Sequence, residues 1–149
     1  MKIITNPDIL HRKCESISYE DSLEVSNKMK IWLLSNKNIS NNTLGLACNQ
    51  LGLEGRVAIY KKNNKWFSLI NPFILEKSDD MITTKEACLS VPGNSISIER
   101  HKSIVVYSEI DGGKGYETIP NPSESIVIQH ELEHLDGILI SDYIKEKLC

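Results

Sequence analysis

The sequence predicts an α+β fold in which antiparallel β-sheets pack around a central α-helix, with another helix near the N-terminus. Three observations support this prediction. Residues 122–136 read as a largely apolar helix, short β-rich runs separated by turn residues precede it, and residues 21–37 carry the loose apolar spacing of a helix. With 149 residues the chain has the length of one ordinary domain, so we expect residues 1–149 to form a single domain.

The β-rich runs are predicted to form antiparallel hairpins. The expected strands cover residues 56–61, 65–71 and 103–110. An Asn-Asn turn joins the first two strands, and the glycine-rich turn DGGKG at 111–115 returns the third as the segment YETI.

The late helix has the clearest ends. Asn121 can cap it, Pro122 suits its first turn, and Gly137 suits the left-handed position that follows the last turn. Apolar residues surround most of this helix, which predicts a buried central element. They are Ile126, Val127, Ile128, Leu132 and Leu135.

Composition and charge exclude several classes of partner. Apolar residues make up 40% of the chain and charged residues 25%, and the net charge of -3 gives no attraction to nucleic acid or an anionic membrane. No run approaches the roughly 20 apolar residues of a membrane span, and the first residues lack the character of a signal or transit peptide. The four cysteines form no CxxC pair, which argues against a disulfide framework. We therefore expect a cytoplasmic protein.

The segment HELEH at residues 130–134 predicts a metal site. On a helix His130 and His134 lie one turn apart, so both imidazoles can reach one ion at about 2.0 to 2.1 Å. Glu131 lies roughly 100° further around the helix, where its carboxylate can take and return a proton. The alternative is a solvated helix with incidental histidines. Burying these three side chains without a metal would be costly, so we favour the metal site.

A third ligand is expected upstream, because Ile140 stands where a metzincin would place its third histidine. The upstream candidates are His11, His101, Cys14, Cys48 and Cys88. Both histidines are flanked by basic residues and are interpreted as surface residues. An isolated cysteine is most often a small buried apolar residue. Cys88 differs in its setting, because KEACLSVPG reads as a short extended segment ending in a Pro-Gly turn that could aim a thiolate.

Three stretches together resemble the peptide deformylase family. TLGLACNQ at 43–50 is similar to the family's GxGLAAxQ, EACLS at 86–90 to EGCLS, and QHELEH at 129–134 to QHExDH. Their order and separation agree, and the resemblance extends over essentially the whole chain. It implies a metal-dependent hydrolase that removes the N-formyl group from the N-terminal formylmethionine of newly made peptides and releases formate.

The resemblance also implies the chemical parts of the site. The implied metal ligands are Cys88, His130 and His134. Gln50 and the backbone N–H of Leu89 would stabilise the oxyanion, and Glu131 would pass the proton to the departing amine. Ferrous iron is the usual natural metal of the family, and Zn²⁺, Ni²⁺ or Co²⁺ are alternatives.

The implied substrate is an N-formylmethionyl nascent peptide, bound as an added strand. Gly45 would leave space for its backbone and formyl group. Leu44, Ile126 and Val127 would line the pocket for its methionine side chain. Together with the composition, this implies a monomer that acts in the cytoplasm near the ribosome exit, without direct binding of nucleic acid or membrane. The chain stops soon after the third motif, and short family members occur in phages and plants, so a phage or a bacterial origin both stay open.

Several positions depart from the family motifs. They are Thr43, Cys48, Ala87, Ser95 and Glu133. None removes a ligand, the oxyanion donor or the base, so we expect them to affect substrate preference and rate more than the type of reaction. Arg100 matches a family arginine that would pair with Glu86 and support the cysteine strand, the alternative being a solvated surface pair.

Two other functions would use the same helix. A minimal zinc endopeptidase would need a third ligand other than Cys88, so replacing Cys88 would spare its metal. A structural metal module would be closed by four side chains with no open coordination position. Those side chains are Cys48, Cys88, His130 and His134.

Overall fold

The computed structural model describes residues 1–111 and 113–148, and it confirms the α+β fold. The helices are α1 (Pro7–Leu10), α2 (Tyr19–Leu34), α3 (Lys37–Ser40), α4 (Pro122–Leu135) and α5 (Ile140–Leu148). Within the described residues, none of these helices combines the length and apolar character needed to cross a lipid bilayer.

The strands form three antiparallel sheets. They are β1 (Gly45–Ala47), β2 (Val57–Lys62), β3 (Lys65–Ile70), β4 (Phe73–Lys77), β5 (Met81–Cys88), β6 (Val91–His101), β7 (Ile104–Ile110) and β8 (Gly113–Ile119). One sheet has the order β1-β2-β3, a second has the order β4-β7-β8, and β5 pairs with β6 alone. A 3₁₀ turn, Cys48–Leu51, follows β1 directly.

The N-terminal helix differs from the predicted range 21–37. It begins earlier because Ser18 caps it, the Ser18 hydroxyl accepting a hydrogen bond from the Asp21 N–H at 3.1 Å. It ends before Asn36, whose side-chain amide donates to the Trp32 carbonyl oxygen at 2.7 Å. The asparagine-rich stretch therefore ends the helix by satisfying a free carbonyl, and the short helix α3 follows it.

The three predicted strands coincide with β2, β3 and β7 to within one residue at each end. The predicted Asn-Asn turn is confirmed, because Asn63 and Asn64 both have positive φ, as a two-residue hairpin turn requires. The turn that follows β7 is shorter than the predicted range 111–115. Gly113 and Gly115 already pair in β8, and residue 112 lies outside the described residues.

Helix α4 lies in the interior, where it contacts β1, β2, β6, β8 and the 3₁₀ turn. Ile128, Leu132 and Leu135 are buried in the main core. Ile126 and Val127 are only half-buried, because they face a cleft that is described below. The prediction that apolar residues surround a central helix is therefore confirmed, but one side of the helix faces that cleft and not the core.

The end of α4 is fixed by the glycine that the sequence pattern placed there. Gly137 has a φ of 76°, its N–H donates to the His134 carbonyl oxygen at 3.1 Å, and the Ile138 N–H donates to the Glu133 carbonyl oxygen at 2.8 Å. These two hydrogen bonds form a Schellman motif. A Cβ at position 137 would also overlap the backbone carbonyl of His11.

We predict that Gly137→Ala destabilises the fold more than Gly52→Ala. Both glycines have a left-handed φ, but a Cβ at Gly52 would meet only the side chain of Ile4, at 3.7 Å. Gly52→Ala, the control, should lose about 1 kcal/mol of unfolding free energy, because it adds backbone strain alone. Gly137→Ala adds the collision with a backbone carbonyl and should lose about 3 kcal/mol in all. Urea unfolding measures both values, and equal losses would contradict the packing argument.

Candidate active site

A cleft of about 550 Å³ lies between β1, the β5–β6 hairpin and α4. Most of the residues predicted for the site line it, namely Leu44, Gly45, Gln50, Cys88, Leu89, Ile126, Val127, His130 and Glu131. His134 contacts the site from inside the core, because its side chain is 1% exposed and lies against Cys88. Thr43 and Ala87 also line the cleft, so two of the departures from the related motifs face it.

The β5–β6 hairpin places Cys88 in the cleft, and the predicted Pro-Gly turn is wrong. Cys88 is the last residue of β5, so the turn is Leu89–Ser90, while Pro92 and Gly93 belong to β6. The physical reason is an irregularity in the pairing, whose register shifts between Glu86 and Cys88. Gly93 takes part in this irregular segment with a φ of 131°, which suits glycine.

Three potential metal-binding atoms converge where the hairpin meets α4. The side-chain ligand atoms of Cys88, His130 and His134 all lie within 4.8 Å of one another. Cys88 Sγ is 3.2 Å from His134 Nε2, and the centroids of the two imidazole rings are 5.0 Å apart. The helical spacing of the histidines and the position of the hairpin together create this cluster.

A buried carboxylate and a buried guanidinium hold the ring of His130. Glu86 Oε1 lies 2.8 Å from His130 Nδ1, and Arg100 donates to Glu86 through Nε and Nη2, both at 2.8 Å. Arg100 is 2% exposed, so the predicted pair with Glu86 is confirmed as a buried pair and not a solvated one. Burial opposes ionisation of Glu86, but hydrogen bonds from Arg100 and His130 outweigh it and lower its pKa to about 2.

The two imidazoles differ in their affinity for protons. Burial, followed by the charge of His130, lowers the pKa of His134 to about 3. Burial also disfavours the charged form of His130, but Glu131, Cys88 and Glu86 outweigh it and raise the pKa of His130 to about 10. Burial thus favours the neutral imidazole at His134, whereas His130 is held in its charged form by its neighbours and must release a proton when it binds a metal ion.

Glu131 is a buried carboxylate beside this cluster. It is 4% exposed, and its Oε1 has no hydrogen-bond partner among the described residues. Burial raises its pKa to about 7, although the charge of His130 acts in the opposite direction. A Cβ at Gly45 would overlap Glu131 Oε2 and lie 2.8 Å from its Cγ. Glycine at position 45 is therefore required by the packing of Glu131.

Gln50 is held in one orientation at the edge of the cleft. Its Oε1 accepts a hydrogen bond from the Ala47 N–H at 3.0 Å. Its Nε2 donates to Ser90 Oγ at 3.1 Å and lies 3.7 Å from Cys88 Sγ. Leu89, at the tip of the hairpin, is 38% exposed. Both groups thus stand beside the thiol on the open side of the site.

Two amide side chains hold α4 in place. The sequence analysis did not single them out. Asn49 Nδ2 donates to the His134 carbonyl oxygen at 2.9 Å. Gln129 accepts from the His101 N–H at 3.0 Å and donates to the His101 carbonyl oxygen at 2.8 Å, which ties α4 to the end of β6. Asn49 lies in the motif TLGLACNQ and Gln129 in the motif QHELEH. Their place in these motifs was the signal that could have identified them.

The other candidate ligands lie apart from the cluster. These are Cys14, Cys48, His11 and His101. Cys48 is buried and donates to the Gly55 carbonyl oxygen at 3.2 Å. His11 is an exposed residue that pairs with Asp142 at 3.1 Å, as predicted for a surface residue. That prediction is wrong for His101, which is half-buried with Nδ1 2.7 Å from the Ser78 carbonyl oxygen.

The cluster fits a divalent transition metal. One thiol and two imidazoles form a donor set that suits iron or zinc. Because Nδ1 of His130 is held by Glu86, its Nε2 remains for the ion, which is the usual arrangement around a histidine ligand. The unpartnered Glu131 oxygen supplies a buried polar group in the same cleft.

Comparisons with known proteins point to one family. The sequence profile described as polypeptide deformylase matches residues 1–148. Peptide deformylase of Borreliella burgdorferi is 36% identical over 107 residues, which cover 70% of this chain and only 65% of that protein. A probable peptide deformylase from Synechococcus phage S-SSM7 has a TM-score of 0.80 at 30% identity, covering 96% of this chain and 99% of that chain. The Met-Ala-Ser-bound peptide deformylase of Acinetobacter baumannii has a TM-score of 0.80 at 25% identity, covering 95% and 97%.

We predict that Cys88→Ala weakens the binding of a divalent metal by more than ~100-fold, because it removes one of three ligand atoms. Cys48→Ala is the matched control, since the same substitution there leaves the cluster intact. Elemental analysis after dialysis against a weak chelator measures the retained metal. If Cys88→Ala retained as much metal as the control, a thiolate ligand at position 88 would be excluded.

Proposed function

The chain belongs to the peptide deformylase family, and on this basis we propose that it removes the N-formyl group from the N-terminal methionine of newly made peptides and releases formate. The family match and the names of the relatives support this activity. One structural observation supports it most directly. The ligand atoms of Cys88, His130 and His134 lie within 4.8 Å of one another, beside an unpartnered Glu131 oxygen.

The family is metal-dependent, and we assign the ligands as Cys88, His130 and His134. When bound, a divalent cation supplies Lewis acidity, which activates water and polarises the formyl carbonyl group. We propose Fe²⁺ as the natural metal, because it is the usual metal of the family and suits a mixed sulfur and nitrogen donor set. The ions Zn²⁺, Ni²⁺ and Co²⁺ suit the same donors.

Glu131 is the proposed general base and acid. Its carboxylate is buried beside the ligands and is not engaged by any described protein donor at Oε1. It therefore has an oxygen available to take a proton from the attacking water and to deliver it to the departing amine. Gly45 supports this role, because the absence of a side chain there lets Glu131 occupy its position.

Gln50 and Leu89 are the proposed oxyanion donors. The hydrogen bond from the Ala47 N–H to Gln50 Oε1 fixes the carboxamide, so its NH₂ group faces the Cys88 side of the cleft. The backbone N–H of Leu89 would add a second donor from the tip of the hairpin. Fixed donors need little reorganisation when negative charge develops, which is the basis of oxyanion stabilisation.

The cleft offers a strand edge and an apolar wall for the peptide. Among the described strands β1 pairs only with β2, which leaves its other edge for an extended substrate. Leu44 is 60% exposed at this edge, and Ile126 and Val127 face the cleft from α4. We propose that these three side chains contact the methionine side chain. We propose that the small formyl group passes close to Gly45, which adds no side chain to this edge of the cleft.

The alternative functions fit the site less well. A structural module would need Cys48 in the cluster, but Cys48 donates to the Gly55 carbonyl oxygen and lies apart from the ligand atoms. An endopeptidase would need another third ligand. Among the described residues, Cys88 completes the group with the two histidines.

The substrate places the protein where nascent chains are made. We propose that it acts in the cytoplasm as a monomer, near the ribosome exit, on N-formylmethionyl peptides. The net charge of -3 does not favour direct binding to nucleic acid.

The anaerobically purified, metal-loaded protein is predicted to release formate from formyl-Met-Ala-Ser and to leave acetyl-Met-Ala-Ser intact. The acetyl group carries a methyl group where the formyl group has a hydrogen, so a pocket shaped for the formyl group should reject it. A coupled formate assay with both peptides measures the two rates. Inertness of the fully metallated protein toward the formyl peptide would contradict the proposed activity.

We predict that Glu131→Gln keeps its metal and loses turnover by at least ~10²-fold, because the amide cannot accept and return a proton. Glu117→Gln is a suitable control, since Glu117 is an exposed residue on β8 outside the cleft. Steady-state rates and metal content should be measured on the same preparations. Turnover within a few fold of the control would exclude Glu131 as the base.

A further inference from the structure

Glu133 links α4, the helix that carries His130 and His134, to α5. Its Oε1 accepts a hydrogen bond from Arg100 Nη1, and its Oε2 accepts one from the hydroxyl group of Tyr143. Both carboxylate oxygens are therefore occupied by donors from other elements. Glu133 stands where the related motif has aspartate, and its longer side chain extends this link to α5.

Tyr143 also contacts Arg100 directly. Its hydroxyl oxygen is 3.4 Å from Arg100 Nη1, and its ring centroid is 5.5 Å from Arg100 Cζ. The remaining guanidinium donors, Nε and Nη2, go to Glu86. The plane of the guanidinium is thus fixed by Glu86 on one edge and by Glu133 and Tyr143 on the other.

The carboxylate of Glu86 accepts hydrogen bonds from Arg100 and also holds the imidazole of His130, a proposed metal ligand. Glu86 Oε1 accepts from Arg100 Nη2 and lies 2.8 Å from His130 Nδ1. A rotation of Arg100 would move this oxygen and, with it, the imidazole ring. Partners one step removed from a metal ligand commonly alter metal affinity by 10- to 100-fold.

From these contacts we propose that Tyr143 is a positioning residue for the metal site. It fixes Glu133 and Arg100, and through Glu86 it fixes the ring of His130. The inference rests on the proposed function, because it takes His130 as a metal ligand. Tyr143 does not itself line the cleft, and its hydrogen bonds and ring contact are with Glu133 and Arg100, so its effect would pass through the side chains named here.

Tyr143→Phe tests the proposal, because it removes the hydroxyl group and keeps the ring beside Arg100. Tyr116→Phe is the matched control, since Tyr116 is 72% exposed on β8 and lies outside this network. The proteins are loaded with Co²⁺, and the thiolate-to-Co²⁺ absorption band is followed while a chelator removes the metal. We expect Tyr143→Phe to lose Co²⁺ about 3- to 10-fold faster than the wild type, somewhat less than the change seen for direct partners of a ligand. The control should match the wild type.

The route through Glu133 is tested by adding Glu133→Gln. If Tyr143 acts through Glu133, the double variant should lose Co²⁺ no faster than Glu133→Gln alone. If the two substitutions multiply each other's effect on the rate of Co²⁺ loss, Tyr143 does not act through Glu133. A wild-type rate in Tyr143→Phe would overturn the inference as a whole, and this comparison stands even if Glu133→Gln does not fold. Failure of the wild-type protein to bind Co²⁺ would overturn the proposed function first, and it would be seen before any variant is compared.

Discussion

The buried pair of Arg100 and Glu86 is the interaction on which the arrangement of the site depends. Arg100 comes from β6 and Glu86 from β5, and Glu86 passes the contact to His130 on α4. Removing two charges from water is costly unless further hydrogen bonds satisfy them, and here Glu133 and Tyr143 occupy the remaining guanidinium edge. These hydrogen bonds join the hairpin that carries the thiol to the helix that carries the imidazoles, and they hold the two elements in their relative placement.

Helix α4 carries several buried polar side chains. It buries Ser125, Gln129, Glu131 and His134, which is unusual for an internal helix. Ser125 and Gln129 bond to the backbone of His101. Within the described part of α4, the buried side-chain atoms left without a partner are Glu131 Oε1 and His134 Nδ1. The stability of the helix comes from its apolar face and its capped end, which leaves Glu131 Oε1 available for chemistry.

Local chemistry made the late helix predictable, whereas long-range pairing did not. Asn121 and Gly137 fix the ends of α4 through contacts within a few residues, so their types alone were informative. The β5–β6 hairpin depends on a register shift between distant residues, and the conspicuous Pro92-Gly93 pair was therefore misread as the turn. The cluster of Cys88, His130 and His134 was predictable from the motifs. The hydrogen bond from Asn49 to the helix backbone was not, because no spacing rule connects the two segments.

The contact between Gly45 and Glu131 joins two positions that lie far apart in the sequence. A Cβ at position 45 would collide with the Glu131 side chain, so position 45 is restricted to glycine while Glu131 keeps this placement. A descendant that lost the acid at 131 would lose this reason to keep a glycine at 45. Among aligned sequences a side chain at position 45 should therefore occur only where the acid at 131 is gone, and a bulky residue at position 45 would mark a protein that has given up the reaction.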